Sequence, residues 1–180
     1  MTSKKTTPTW SDVKAELADV DRARLIALVQ NLYAASKENR TFLHARFGLG
    51  EDVLEPYKAA IDRWLWPDVY KNQASSVAKA KKAIADYRKA VGHPEGVADL
   101  MVFFCERAAS FGSDVGMDEG DADALVRMFA QASKAPHALP AAVRSPFLAR
   151  LDAVRRVGHT LGYGVGGEMD HLLAGQGFDG

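Results

Sequence analysis

Residues 97–105 read VADLMVFFC, a run that is apolar on nearly every side of a helix. A surface helix carries its apolar residues on one stripe, so a segment that is apolar all round belongs inside the protein. His93 and Pro94 form a turn before it, and the glycine- and aspartate-rich stretch FGSDVGMDEGD at 111–121 follows it. The pattern predicts a central helix from Pro94 to about Phe111.

Amphipathic segments surround this central helix in the sequence. Their apolar residues recur at helical spacing over residues 53–66, 77–91, 122–132 and 145–161, and proline or glycine interrupts the chain between them. Shorter helices are predicted near 11–17, 21–33, 36–47 and 169–173, and the close succession of the first two suggests a hairpin. Since no sustained two-residue alternation occurs, no strand is predicted.

The fold class is therefore predicted to be all-α, a compact multi-helix bundle of antiparallel helical hairpins. HEAT-like stacking of the hairpins is the alternative, although the sequence contains no clean internal repeat. Residues 1–9 are polar and predict a disordered lead-in, and residues 10–180 predict a single helical domain.

Composition and charge bear on whether the protein binds nucleic acid or membranes and on where it is located. The chain has 23 basic and 23 acidic side chains, so its overall field gives no general attraction to nucleic acid or to an anionic membrane. A single cysteine, the absence of a signal peptide pattern and the absence of an apolar stretch near 18 residues predict a cytoplasmic protein without a membrane span.

The most distinctive surface pattern is a basic helix at 77–91. Residues 71–89 contain six bases and one acid, and helical spacing places Lys79, Lys82 and Lys89 away from the apolar stripe, with Arg88 next to Lys89. These four residues are the candidate binding surface. They could contact phosphates or an acidic protein surface, with nearby rings for base stacking, or they could simply solvate the helix. The rings in question are Trp64, Trp66, Tyr70 and Tyr87.

An acidic segment at 114–123 carries five carboxylates and no base. Its oxygens do not follow the alternating spacing of an EF-hand loop, and carboxylates at a helix amino terminus are the simpler interpretation. The basic helix and this segment could also face each other, within one molecule or between two copies, which would make self-association sensitive to salt.

Residues with catalytic or metal-binding chemistry are few. Asp99 and Glu106 share a face of the central helix but lie two turns, roughly 10 Å, apart, too far to share a proton or an ion without other helices. Glu168 and His171 form the one Glu-x-x-His pair in the chain, where a di-metal bundle needs more. Cys105 lies in an apolar run and is predicted to be a buried structural thiol. No catalytic residue, metal site or cofactor is predicted.

Four segments, taken in their order along the chain, resemble the sequence patterns of a known protein family. They are residues 25–43 with the string SKENR, the pattern YKxxIxxxLxP at 57–67, the pattern AKKAIxxYRK at 80–89 and the pattern DLMxFFxE at 99–106. The chain resembles a family of bacterial all-helical proteins catalogued as a domain of unknown function. The resemblance implies a bacterial helical protein and supplies no catalytic residues.

Since enzyme motifs are missing, the sequence favours a non-enzymatic helical module that interacts with a protein partner. Weak nucleic-acid binding through the basic helix is the alternative, and an enzyme whose site is assembled from several helices, around Asp99, Glu106 or His171, is the third reading.

Overall fold

The computed structural model describes residues 7–175, and within them the chain forms nine α-helices, two short 3-10 helices and no strand. The predicted all-α multi-helix fold is therefore confirmed. No helix among these residues is both long enough and apolar enough to cross a membrane. The helices are α1 (Trp10–Ala18), α2 (Arg22–Ala35), α3 (Lys37–Phe47), α4 (Glu55–Leu65), α5 (Val77–Ala90), α6 (Pro94–Asp114), α7 (Glu119–Lys134), α8 (Ala141–Gly158) and α9 (Val165–Ala174), with 3-10 helices at Val69–Lys71 and Ala135–Ala138.

The chain divides into two compact units, the first ending at Leu43 and the second beginning at His44, inside α3. In the first unit, Asp21 starts α2 by accepting a hydrogen bond from the backbone N–H of Arg24 at 2.9 Å. Helices α1 and α2 bury no side chain and do not pack along their lengths. The hairpin that their succession suggested is therefore wrong, because no shared apolar core joins the two helices.

The second unit is built around α6. This 21-residue helix packs against α4, α5, α7 and α8, and its side chains Leu100, Val102, Phe104 and Cys105 are fully buried. The prediction of a central helix is confirmed, and the helix continues to Asp114, one turn beyond the predicted end. One helix in contact with four others forms a bundle rather than a row of hairpins in which each contacts only its neighbours.

The boundaries of α8 and α5 also differ from the sequence prediction. Helix α8 begins at Ala141, not near Ser145, and Pro146 lies inside it. Pro140, whose ring fixes φ, is the N-cap of the helix, and Arg144 donates hydrogen bonds at 3.2 Å to the carbonyls of His137 and Leu139. Val91, predicted to point inward from α5, follows its end and is 39% exposed.

A tight joint connects α8 and α9. Gly162, Tyr163 and Gly164 all have positive φ, which reverses the chain within three residues. The two helices then approach closely, since a methyl group added at Gly166 would lie 2.8 Å from the α-carbon of His159. Helix α8 already ends at Gly158, before the glycine-rich segment at 162–167, so this segment forms the joint and permits close packing of α9.

Candidate binding surface

Helix α5 presents the candidate surface because its start is fixed by Ser76, whose hydroxyl oxygen accepts a hydrogen bond from the backbone N–H of Lys79 at 3.3 Å. From that start, Ala80, Ile84 and Tyr87 face the core and are buried. The opposite face then carries the four predicted cations, all of which are exposed: Lys79, Lys82, Arg88 and Lys89.

Lys79 is engaged within the molecule. Its ammonium lies 3.9 Å from the centroid of the Trp64 ring, and the guanidinium of Arg63 lies 4.7 Å from the same centroid. Cation–π contacts of this kind contribute about 0.5–1 kcal/mol at exposed sites. Because two cations lie against it, the Trp64 ring is not open for stacking with a nucleic-acid base.

Lys82 is also paired. Its ammonium forms an ion pair with Asp86, one turn later on the same helix. Pairs at this spacing contribute about 0.2–0.5 kcal/mol and cancel one positive charge on the helix surface. The middle of α5 is therefore less positive than its sequence suggested.

Arg88 and Lys89 lie at the other end of α5, beside exposed apolar side chains. The carbonyl of Lys89 accepts a hydrogen bond from the guanidinium of Arg46 at 2.9 Å, which places the end of α3 next to the end of α5. Three apolar side chains within three positions of Arg46 or Lys89 in the chain are exposed, namely Phe47 (68%), Leu49 (57%) and Val91 (39%). We name Phe47, Leu49, Arg88, Lys89 and Val91 the basic–apolar patch.

The rings considered for base stacking are mostly unavailable. Tyr87 is buried and packs edge-on against Tyr57 at 5.3 Å between centroids. Trp66 is half-buried, with its ring 4.3 Å from the Arg107 guanidinium. Tyr70 alone among the four rings is almost fully exposed, at 97%. A continuous stacking platform along α5 is therefore not formed.

The acidic segment at 114–123 supplies the N-cap and the first-turn carboxylates of α7. Asp118 accepts a hydrogen bond from the backbone N–H of Asp121 at 2.8 Å, and Asp123 pairs with Arg127 at 3.3 Å. Burial, and next the charge of Asp118, raise the pKa of Asp121. Carboxylates at the amino end of a helix complement its dipole, as the simpler sequence interpretation expected.

This acidic segment and the basic–apolar patch lie at opposite ends of α6. The patch adjoins the turn before Pro94, whereas the acidic segment begins at Asp114, the last residue of α6. At 1.5 Å per residue, a helix of 21 residues spans about 30 Å. The patch, at the end of α5, is therefore remote from the acidic segment, whereas Val77 at the start of α5 lines the same small cavity as Asp121.

Asp99 and Glu106 are joined by a residue that sequence reasoning missed. Arg150, on α8, donates two hydrogen bonds to the carboxylate of Glu106, at 2.7 and 2.8 Å, and a third to Asp99. Lys58, on α4, pairs with the other oxygen of Asp99 at 2.6 Å. These two carboxylates and two cations link α4, α6 and α8. The arginine carried no linear signal, because it lies 44 residues after Glu106.

This four-residue network favours a structural role over acid–base catalysis. Burial would raise the pKa of Asp99, but the hydrogen bonds from Lys58 and Arg150 outweigh it and hold the pKa below its ordinary value. The hydrogen bonds that Arg150 donates to Glu106 are the main reason that the pKa of Arg150 is raised. Each oxygen of Asp99 is engaged by a cation, which stabilises the ionised carboxylate and makes it a weak base.

A groove that the sequence did not indicate lies beside α4, with a volume of about 660 Å³. Pro67 ends α4, and Asp68 then caps the 3-10 helix at Val69–Lys71, which folds back to form one wall. Trp66 and Phe103 contribute apolar surface, while two of its charged residues pair with residues outside the groove, Lys58 with Asp99 and Asp62 with Arg107. The groove offers aromatic surface beside neutralised charge.

The remaining candidates are separate from these features. Glu168 and His171 are exposed on α9, and no third ligand joins them, since residues 7–175 contain no group of three or more His, Cys, Asp or Glu placed to hold a metal ion. Cys105 is fully buried, and this burial strongly raises the pKa of its thiol, so the residue packs as an apolar side chain.

Comparison with known proteins adds no relative. No protein-family model, curated protein or solved structure matches this chain. The resemblance to an uncharacterised bacterial family thus stays a prediction, and functional inference depends on the surfaces described above.

Proposed function

We propose that this chain is a non-enzymatic protein-interaction module that binds an acidic, partly apolar segment of another protein through the basic–apolar patch. The observation that carries the proposal is the combination, at the end of α5, of two exposed cations with three exposed apolar side chains. Protein interfaces combine apolar anchors with a charged rim, whereas phosphate binding needs charge alone.

Charge complementarity selects the partner. Residues 41–50 and 87–94 contain Arg46, Arg88 and Lys89 and no acidic side chain. An acidic partner segment would be attracted to this end of the chain, and its apolar residues could bury Phe47 and Leu49. Lys79 and Lys82, at the other end of α5, contribute less because Trp64 and Asp86 engage them. A cytoplasmic location is part of the proposal, which the lone buried thiol supports.

Nucleic-acid binding through the same helix is the second candidate, and it predicts a different response to salt. Affinity for phosphates falls steeply with salt concentration, whereas an interface with apolar anchors loses much less. The pairing of Lys82 and the burial of Tyr87 weaken this candidate, so we rank it below the protein partner.

The test is affinity capture with the tagged full-length chain from its own cells, with and without nuclease. Three proteins are compared: wild type, a patch variant carrying Arg88→Glu and Lys89→Glu, and a control carrying Lys71→Glu and Lys134→Glu. The control makes the same change in net charge at exposed lysines away from the patch. We expect a stoichiometric protein that survives nuclease, is lost with the patch variant and is kept by the control.

A second variant separates apolar anchoring from charge. Phe47→Ser leaves every charge in place and removes the most exposed apolar ring of the patch, so it should also release the partner. If nuclease treatment abolished the capture, the result would favour nucleic-acid binding, the second candidate, over the protein partner. An empty eluate, or a partner retained equally by all variants, would overturn the assignment of the patch.

A further inference from the structure

The groove beside α4 has the size of a small-molecule site. Its volume of about 660 Å³ lies within the range of roughly 300–1,000 Å³ that ligand pockets occupy. Three rings held on separate parts of the chain line it, namely Trp66 after α4, Tyr70 on the 3-10 helix and Phe103 on α6. These rings can bury the apolar part of a ligand.

Two of the three rings already contact cations of the chain. The Arg107 guanidinium lies 4.3 Å from the centroid of the Trp66 ring, and the Lys58 ammonium lies 5.8 Å from that of Phe103. The face of an aromatic ring attracts a cation through its quadrupole. Tyr70 has no such contact within the described part of the chain, and the residue is 97% exposed. Its ring therefore remains available to a cation from solution.

The wall that carries Tyr70 is fixed by its own hydrogen bonds. The carboxylate of Asp68 accepts hydrogen bonds from the backbone N–H groups of Tyr70 and Lys71 at 3.1 and 3.3 Å. The backbone N–H of Asp68 donates to the side-chain oxygen of Gln73 at 3.2 Å, and the N–H of Gln73 donates to the carbonyl of Asp68 at 3.2 Å. Because this backbone is already ordered, a ligand that contacts it does not bear the entropic cost of ordering it.

The basic residues that line the groove are engaged by groups outside it. The ammonium of Lys58 forms an ion pair with Asp99 at 2.6 Å. The guanidinium of Arg63 lies 4.7 Å from the centroid of the Trp64 ring and donates a hydrogen bond to the carbonyl of Ala74 at 3.4 Å. None of Asp99, Trp64 and Ala74 lines the groove. An anionic ligand would therefore have to compete with these contacts for each base.

One carboxylate of the groove is the exception to this neutralisation. Asp62 pairs with Arg107 at 2.5 Å, and Asp68 pairs with Lys71 at 3.0 Å. The carboxylate of Glu55 also lines the groove and is exposed, and it forms no hydrogen bond or ion pair with the part of the chain that the structure describes. The groove therefore presents an unpaired negative charge together with an uncovered ring.

We propose that this groove binds a small organic cation, a single ammonium group carried on an aromatic or alkyl body. The ammonium would meet the Glu55 carboxylate and the Tyr70 ring, and the apolar body would contact Phe103 and Trp66. Quaternary ammonium groups are recognised by aromatic rings in this way. The site is separate from the proposed function, since none of the residues that line the groove belongs to the basic–apolar patch.

The experiment is a titration of the isotope-labelled full-length chain with benzyltrimethylammonium, followed by two-dimensional NMR. The indole N–H of Trp66 and the backbone N–H groups of residues 68–73 should shift in a saturable manner, and added salt should weaken the binding. Benzyl alcohol keeps the ring without the charge, and phenylacetate reverses the charge. Both should bind at least about 3-fold more weakly than the cation.

Substitutions at two exposed positions separate the carboxylate from the ring. Glu55→Gln should weaken binding of the cation about 2–5-fold, as expected for an exposed ion pair. Glu119→Gln is its matched control and should bind as wild type, because Glu119 is likewise an exposed first residue of a helix and does not line the groove. Tyr70→Ala should weaken binding about 2–5-fold, whereas Tyr70→Phe keeps the face of the ring and should retain the affinity.

Several results would overturn the inference. One is the absence of any saturable shift, and another is a set of shifts centred away from residues 66–73. Equal affinity for the three compounds would show that charge plays no part. An equal loss in Glu55→Gln and Glu119→Gln would show that the cation follows net charge and not this site. None of these results bears on the basic–apolar patch, which is tested by capture of a protein partner.

Discussion

Replacement of Arg150 by methionine tests whether the ion network between α4, α6 and α8 stabilises the fold. The substitution removes three hydrogen bonds, two to Glu106 and one to Asp99. Methionine retains a long apolar side chain that can follow the path of the arginine stem. The measured effect therefore reports mainly the lost charge and hydrogen bonds.

The expected magnitude follows from the burial of the network. Breaking a fully buried ion pair costs about 3–5 kcal/mol, whereas exposed pairs contribute about 0–1 kcal/mol. The side chain of Arg150 is 32% exposed and that of Asp99 is 14% exposed, between these limits. Asp99 keeps its pair with Lys58, which limits the loss. We expect a decrease of about 2 kcal/mol in the free energy of unfolding at neutral pH.

Urea unfolding followed by circular dichroism, at neutral and acidic pH, measures this decrease. Because the folded-state pKa of Asp99 is lowered, its contribution to stability is present above its unfolded pKa of about 3.9. That contribution is lost as the pH falls through the folded value. The difference between wild type and variant should therefore narrow below about pH 4.

Arg127→Met is the control, since Arg127 and its partner Asp123 are both more than half exposed. It should change stability by no more than about 0.5 kcal/mol. The reasoning is refuted if Arg150→Met costs no more than this control, or if its effect is the same at neutral and acidic pH. The second result would show that packing, rather than charge, accounts for the loss.

Three further substitutions test the core, the helix contact and the basic face. Phe104→Ala should cost about 3–5 kcal/mol because the ring is fully buried, and a loss below about 1 kcal/mol in urea would contradict the core assignment. Gly166→Ala should cost about 1–3 kcal/mol, because the added carbon would lie 2.8 Å from the α-carbon of His159; an unchanged thermal midpoint would show that the helices move apart freely. Reversal of Lys79 and Lys82 to glutamate would cost under about 0.5 kcal/mol on a free face. Since both are engaged, we expect about 1 kcal/mol, reduced by salt in thermal unfolding.

Where sequence reasoning succeeded, a periodic pattern carried the information. The all-round apolarity of residues 97–105 predicted the central position of α6, and the serines at 75 and 76 were the two expected starts of α5, of which the structure has Ser76. Both features are local, because the burial of a helix face and the capping of its first turn follow from residues within one or two turns. The exposed position of Lys79, Lys82, Arg88 and Lys89 was predictable on the same grounds.

Sequence reasoning failed where the structure depends on contacts between residues that are far apart in the chain. Nothing near Val13 or Leu25 shows that α1 and α2 form helices without packing on each other, since helical spacing predicts a face and not its partner. The basic–apolar patch is likewise invisible in sequence, because Arg46 reaches Lys89 across 43 positions.

The sequence by itself determined the all-α class, the central helix and the exposed side of α5, because helical periodicity and capping act over a few residues. Tertiary structure alone decided how those surfaces are used. It placed Lys79 on Trp64, joined Asp99 to Glu106 through Arg150 and gathered a basic–apolar patch from two separate helices. The physical reason is that ion pairs and ring contacts depend on distances in space, which packing sets and linear spacing does not.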